Sequence, residues 1–159
     1  MFTIQSLPTT PTERQWALEA VASIEAVIQP EDAWGLSVIN DLLEQQSIHL
    51  MLAVSCAAAN IVGYCLYQVV FEQAEILRIG THPNYQRQGI ASQLFVQLND
   101  ILTVQAVESL LLEVRADNLA AIALYKQQGF KVIHRRSGYY QSAHKTAVDA
   151  LIMQRTYIE

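Results

Sequence analysis

The spacing of apolar residues changes period several times along the chain, and each change marks an element. Phe2 to Leu7 alternates enough to predict a first strand. Pro8 to Glu13 breaks it and offers threonine caps for a helix from about residue 11 to residue 28, with Trp16, Leu18, Ala20, Val21, Ile24 and Ile28 on its apolar face. Gln29 to Asp32 ends that helix. A second is predicted from Leu36 to Gln46, with Trp34 standing between the two. Leu50 to Cys56 and Ile61 to Phe71 are β-rich runs around a turn at Ala58-Ala59-Asn60, and Glu75 to Thr81 reads as the next strand. Ile90 to Val104 carries an apolar stripe at helical spacing. Ser109 to Arg115 is too apolar for an exposed strand and is predicted at the sheet centre. Asn118 can cap a helix over Leu119 to Gln128, which stops at Gly129; strands begin at Phe130 to His134 and at Val148 to Met153, the latter running towards Tyr157. This order predicts a mixed sheet covered by helices on both faces.

Composition narrows the picture. The 159 residues, 52% hydrophobic and 16% charged, suit one compact domain over 1–159. A net charge of −5, with no cluster of Lys and Arg, argues against a nucleic-acid partner. The uncharged run from Leu50 to Phe71 approaches a membrane span in length, but Ser55, Asn60, Gly63 and Gln68 interrupt it, and a buried hairpin is expected instead. Cys56 and Cys65 are expected to be small buried hydrophobes, which together with the lack of a signal-like N-terminus points to a reducing cytoplasm. The four histidines (His49, His82, His134 and His144) have no metal-like spacing, and no metal is expected.

Three stretches carry candidate chemistry. Between Thr81 and the helix at Ile90, Pro83 stops a strand and Gln86-Arg87-Gln88-Gly89-Ile90-Ala91 leads into a helix N-terminus, where free N–H groups can hold an anion. Gly80 suggests a bulge or the close approach of another backbone. Glu113 interrupts an apolar strand, where a carboxylate is costly unless paired or protonated; burial would raise its pKa towards that of a general base. Pairing with Arg115, two residues on and so on the same face, is the competing account. Asn118 and Tyr125 lie two helical turns apart, so Tyr125 either donates a proton on the face of Asn118 or packs in the core.

Read together, these stretches resemble a known family. His82-Pro83-Asn84-Tyr85-Gln86-Arg87-Gln88-Gly89-Ile90-Ala91 is similar to the acyl-CoA pyrophosphate loop of the GNAT superfamily of N-acetyltransferases, with Gln86, Gly89 and Ala91 at its Gln/Arg-x-x-Gly-x-Gly/Ala positions. Leu112 to Asn118, Ala121 to Tyr125, Gly129-Phe130, Arg135-Arg136-x-x-Tyr139-Tyr140 and Asp149 to Met153 resemble the bacterial ribosomal-protein-alanine N-acetyltransferases. The resemblance covers roughly Ala74 to Met153. It implies an α/β (α+β) fold with a mixed, mostly antiparallel sheet of six to seven strands splayed at the centre.

The resemblance also assigns roles. Ile79, Gly80 and Thr81 would contact the acetyl-pantetheine arm of acetyl-CoA, Arg87, Gln88, Gly89, Ile90, Ala91 and Ser92 would hold its pyrophosphate, and Asn118 would touch the cofactor. Glu113 would be the proton acceptor and Tyr125 the proton donor to the leaving thiolate. Trp34 and Tyr139 would face a protein N-terminal peptide, expected to be ribosomal. An α-amino group, with a pKa of about 8, is far easier to deprotonate near neutrality than a lysine at about 10.4. Lysine or small-molecule acceptors keep the same fold, whereas a non-catalytic acyl-CoA-binding module would belong to another class. Thr81 departs from the family pattern by a near-isosteric change. The Ser137-Gly138 insertion and the stretch Gln141 to Thr146 depart from it in the hairpin that would border the peptide groove, which bears on peptide preference.

Overall fold

The computed structural model describes residues 1–142 and 145–157; His144, one of the four histidines, and part of the divergent Gln141–Thr146 stretch lie outside them. The seven strands are β1 (Phe2–Ser6), β2 (Ile48–Ser55), β3 (Ile61–Val70), β4 (Gln73–Thr81), β5 (Ser109–Arg115), β6 (Lys131–Ser142) and β7 (Lys145–Thr156). They form one sheet in the order β1-β2-β3-β4-β5-β7-β6. The helices are α1 (Pro11–Ile28), α2 (Leu36–Leu43), α3 (Ile90–Val104) and α4 (Leu119–Gln127), with a 3-10 turn at Pro83–Tyr85. Pairing is antiparallel for β1/β2, β2/β3, β5/β7 and β6/β7, and parallel for β4/β5. The mixed, mostly antiparallel sheet expected from the sequence is present. The chain divides into two compact units, Met1–Gln68 with Arg78–Ile101, and Val69–Leu77 with Leu102–Glu159.

In the first unit the uncharged run folds as the expected hairpin. Ser55 N–H donates to Asn60 O at 2.8 Å, and the left-handed Ala59 (φ 55°) turns the chain. Most of β2 and β3 is buried because both faces are covered, which explains the continuous apolar run. Helix α1 has the predicted bounds, and Ala17, Leu18, Val21 and Ile24 are buried on it. Each fully buried side chain of the larger kind contributes roughly 1.5–3 kcal/mol. Trp16 departs from the expected apolar face: it is 47% exposed, and Glu25 occupies the inner stripe instead. Helix α2 ends at Leu43, short of Gln46, because Glu44 to Ser47 offers nothing apolar to bury; Ile48 N–H turns back to Gln45 O at 3.1 Å. Cys56 is exposed, contrary to expectation, since it falls in the turn after β2; Cys65 is buried and its thiol is pushed up to about 12.

In the second unit β5 alternates, with Leu110, Leu112 and Val114 buried and Leu111, Glu113 and Arg115 partly open. The strand is central, between β4 and β7, as its composition predicted. Its parallel ladder with β4 joins Gln73–Glu75 to Ser109–Leu111. β6 is longer than the sequence suggested and pairs with β7 through several irregularities. Between Arg136↔Ala150 and Tyr140↔Val148, β6 advances four residues against two on β7, and Gly138 takes φ +60°. The Ser137-Gly138 insertion is therefore a bulge.

Candidate active site

In the first unit β4 ends at Thr81, and His82 caps the 3-10 turn by accepting Asn84 N–H on Nδ1 at 3.1 Å. Arg87 (φ 63°) and Gly89 (φ 82°) then adopt left-handed backbone, and Gln93 N–H bonded to Gly89 O opens α3. The N–H groups of Ile90, Ala91 and Ser92 thus precede any carbonyl they can reach within the helix. A Cβ on Gly89 would meet nothing within 4 Å, so the glycine is required by its backbone angle and leaves open space beside those donors. Free N–H groups at a helix N-terminus, in a loop that also carries the exposed Arg87, are the kind of donors that suit a pyrophosphate.

Gly80 is crowded by side chains as well as by the neighbouring main chain. A Cβ there would collide with Ile28 Cδ1 and lie 2.7 Å from Tyr64 Oη, while the Gly80 carbonyl approaches the main chain of Gly63, where a Cβ would lie 3.2 Å away. Tyr64 Oη in turn donates to Glu25 Oε1 at 2.6 Å. Burial and the Glu25 carboxylate push the Tyr64 phenol well above its ordinary value. Trp34 N–H donates to Glu25 Oε2 at 3.1 Å, and the Arg78 guanidinium lies 4.2 Å from the Trp34 ring centroid. Sequence reasoning passed over Glu25. Its signal was positional, since it falls four residues after Val21 and seven after Leu18, on the apolar stripe.

In the second unit Glu113 is not fully buried, and the partners described for it come from β6. Its side chain is 28% exposed; Oε1 accepts the Tyr140 hydroxyl at 2.9 Å, and Arg136 Nη1 lies 3.8 Å from Oε2. Arg115 meets Asp117 through two hydrogen bonds of 3.1 Å and stacks over the Tyr140 ring. The β4/β5 register places Glu75 opposite Leu111, so it shares a face with Glu113. Partial desolvation and the neighbouring Glu113 raise the Glu75 carboxyl, with Arg136 acting the other way. Asp149 supports the bulge: it accepts Gly138 N–H at 2.7 Å and Arg135 Nε at 2.6 Å. Those two bonds hold its carboxyl below the ordinary range.

Tyr139, the expected peptide contact, is half exposed, under Arg136 and edge-on to Tyr140. Tyr140, which the sequence did not single out, is the tyrosine that reaches Glu113. Asn118 caps α4 as predicted, with Oδ1 accepting Ala121 N–H at 3.2 Å. Tyr125 is 9% exposed and tilts against Phe130 with ring centroids 6.0 Å apart. The structure thus brings Glu113, Tyr140, Arg136 and Glu75 together, and separately gathers Trp34, Glu25, Tyr64 and Arg78. No group of acidic, His or Cys side chains among the described residues could hold a metal ion.

Residues 14–130 match the model of the acetyltransferase (GNAT) family. The chain belongs to the GNAT acetyltransferase family. This GNAT chain is 34% identical, over 96% of its length and 96% of the relative's, to the [ribosomal protein bS18]-alanine N-acetyltransferase of Salmonella typhimurium. The enzyme of the same name from Escherichia coli K12 is 42% identical over 57% of this chain and 61% of its own. The crystal structure of the Escherichia coli ribosomal-protein-S18-alanine N-acetyltransferase matches 98% of this chain and 94% of its own, with a TM-score of 0.84 and 31% identity. Ard1 from Thermoplasma volcanium matches with a TM-score of 0.81 at 26% identity, covering 99% of each chain. The expected acetyl-CoA-dependent acyltransferase therefore stands, with acetyl-CoA as its co-substrate. Among the described residues no helix is long and apolar enough to cross a membrane.

Proposed function

We propose that this GNAT chain acts as one domain and moves acetyl from acetyl-CoA to a protein N-terminal amine, that of alanine on a small-subunit ribosomal protein in the cytoplasm. The observation that carries this reading is Glu113, held by Tyr140 and Arg136 on the open face of a central strand, in a chain so similar over its length to the Salmonella enzyme.

The family resemblance assigns each residue its role, and the chemistry of each side chain or main-chain group is compatible with it. The N–H groups of Ile90, Ala91 and Ser92, with Gln88, Gly89 and Arg87, hold the pyrophosphate. Ile79, Gly80 and Thr81 line the pantetheine arm, and a main-chain N–H near Gly80 polarises the thioester oxygen; one such donor can be worth about 3 kcal/mol. Asn118 also contacts the cofactor. Glu113 takes a proton from the acceptor's ammonium, and the neutral amine then attacks the thioester carbon directly, without a covalent enzyme intermediate. Tyr125 delivers its phenolic proton to the departing sulfur. Trp34 and Tyr139 receive the peptide.

The test is steady-state turnover of acetyl-CoA with a peptide that begins with alanine, beside the same peptide with a blocked N-terminus and an internal lysine. Turnover of the first alone is expected. Glu113→Gln and Tyr125→Phe should each lower kcat about a hundredfold, the scale of a positioned acid or base. Preference for the blocked peptide would overturn the acceptor assignment, and full activity in both variants would overturn the roles.

A further inference from the structure

Arg78 sits on β4 two positions before Gly80, and its guanidinium is spent on one short stretch of chain. Nη1 donates to Gln29 Oε1 at 2.9 Å, and Nη2 donates to Asp32 O at 2.8 Å. Nη2 is also 3.5 Å from Asp32 Oδ2, and Nε is 3.7 Å from Glu25 Oε2. The flat face of the same group covers the Trp34 ring at 4.2 Å. Only an arginine offers a planar fork and a stacking face at once. The Arg78 side chain is 14% exposed, so this is no loose surface pair.

Glu25 completes the arrangement from behind. It is 1% exposed, and it accepts Trp34 N–H with one oxygen and Tyr64 Oη with the other. Tyr64, together with Ile28, fills the space beside Gly80. The stretch from Gln29 to Gly35 lies between helices α1 and α2 and has no strand partner. Its own main chain supplies Asp32 N–H to Gln29 O at a long 3.2 Å. Side chains from outside the stretch therefore set its shape. Arg78 Nε is buried with no hydrogen-bond partner among the described residues, and the Glu25 carboxylate at 3.7 Å supplies the nearby counter-charge.

We propose that Arg78, backed by Glu25, is a positioning residue for the acceptor peptide: it locks the Trp34 stretch in the form that receives the acceptor's first residues. Acceptor affinity depends on it and cofactor affinity does not. The inference rests on the proposed role of Trp34 at the acceptor.

Arg78→Met and Arg78→Lys test it. With an alanine-first peptide, Arg78→Met is expected to raise acceptor KM at least fivefold while kcat stays within threefold and the acetyl-CoA Kd is unchanged. Arg78→Lys keeps the charge but loses the fork and the stacking face, and should recover only part of the loss. Gln29→Ala removes one 2.9 Å bond from the other side and should shift KM the same way by less, which serves if Arg78→Met does not fold. In a Trp16→Phe background, which leaves Trp34 as the sole tryptophan, acrylamide should quench Trp34 more strongly once Arg78 is replaced. An unchanged acceptor KM, unchanged quenching, or a parallel loss of acetyl-CoA binding would overturn the proposal. A wild-type protein inert towards the peptide removes the functional reading and this inference with it. An active wild type with an indifferent Arg78→Met removes the inference alone.

Discussion

The Tyr140 hydroxyl donates to Glu113 Oε1 across 2.9 Å, from a strand 27 residues further along the chain. A hydrogen bond to a carboxylate fixes both its orientation and which lone pair remains for other work. Tyr140→Phe keeps the ring and its contact with Arg115 while removing that bond. Thermal unfolding should show a loss of about 1.5–3 kcal/mol, the range for a hydrogen bond to a charged group. Turnover should fall about tenfold, less than for loss of Glu113 itself.

Asp149 governs the same geometry at one remove, because it pins Gly138 and Arg135 within the bulge that carries Tyr139 and Tyr140. Its folded-state carboxyl value lies below the ordinary one of about 4. A depressed carboxyl stabilises the fold fully above that ordinary value, and the contribution is lost as pH falls through the folded value. Asp149→Asn should therefore flatten the acid side of the stability profile and lower kcat, although Asp149 makes no contact with Glu113 in the structure. A denaturation series from neutral to acid pH checks the first effect.

Glu75 has the opposite sign. Partial desolvation and Glu113 raise its folded value above the ordinary one. The folded state then holds the proton longer than the unfolded chain, so this group's contribution falls as pH rises from about 4 through the folded value. Glu75→Gln should be more stable than the parent above that window and indistinguishable below it. Urea midpoints at several pH values would show the two curves separating.

Gly80→Ala should be damaging for a reason local to the first unit. The added methyl would meet Ile28 Cδ1 and Tyr64 Oη, and Tyr64 cannot withdraw without leaving Glu25 short of a donor. Overpacking of this sort costs about 1–3 kcal/mol. A lowered Tm is expected, together with a larger proportional loss of turnover, since the same strand segment is proposed to line the pantetheine arm.

Several of these residues were legible before folding, for local reasons. The bounds of α1, α3 and β5 follow from prolines, glycines and apolar spacing that act within a few residues. The expected threonine cap of α1 is not made: Thr10 stands at the N-cap without a side-chain hydrogen bond, and Pro11 opens the helix. Asn118 reads as a cap because an amide oxygen at that point has a free N–H within reach. Glu113 was visible as a charge interrupting an apolar strand. Its partner was not: Arg115 is nearer in sequence and on the same face, yet it turns to Asp117, while Tyr140 and Arg136 arrive from β6.

The chain's own order of residues determined the strand and helix plan, the family, and the short list of acid, phenol and glycine positions, because periodicity and capping are short-range effects. Tertiary structure alone decided which side chains meet. The bulge at Gly138 selects Tyr140 over Tyr139 for Glu113, and a buried Glu25 joins Trp34, Tyr64 and Arg78 across up to 53 positions in the chain. Such choices depend on strand register and on burial of charge, which are properties of distant segments brought side by side.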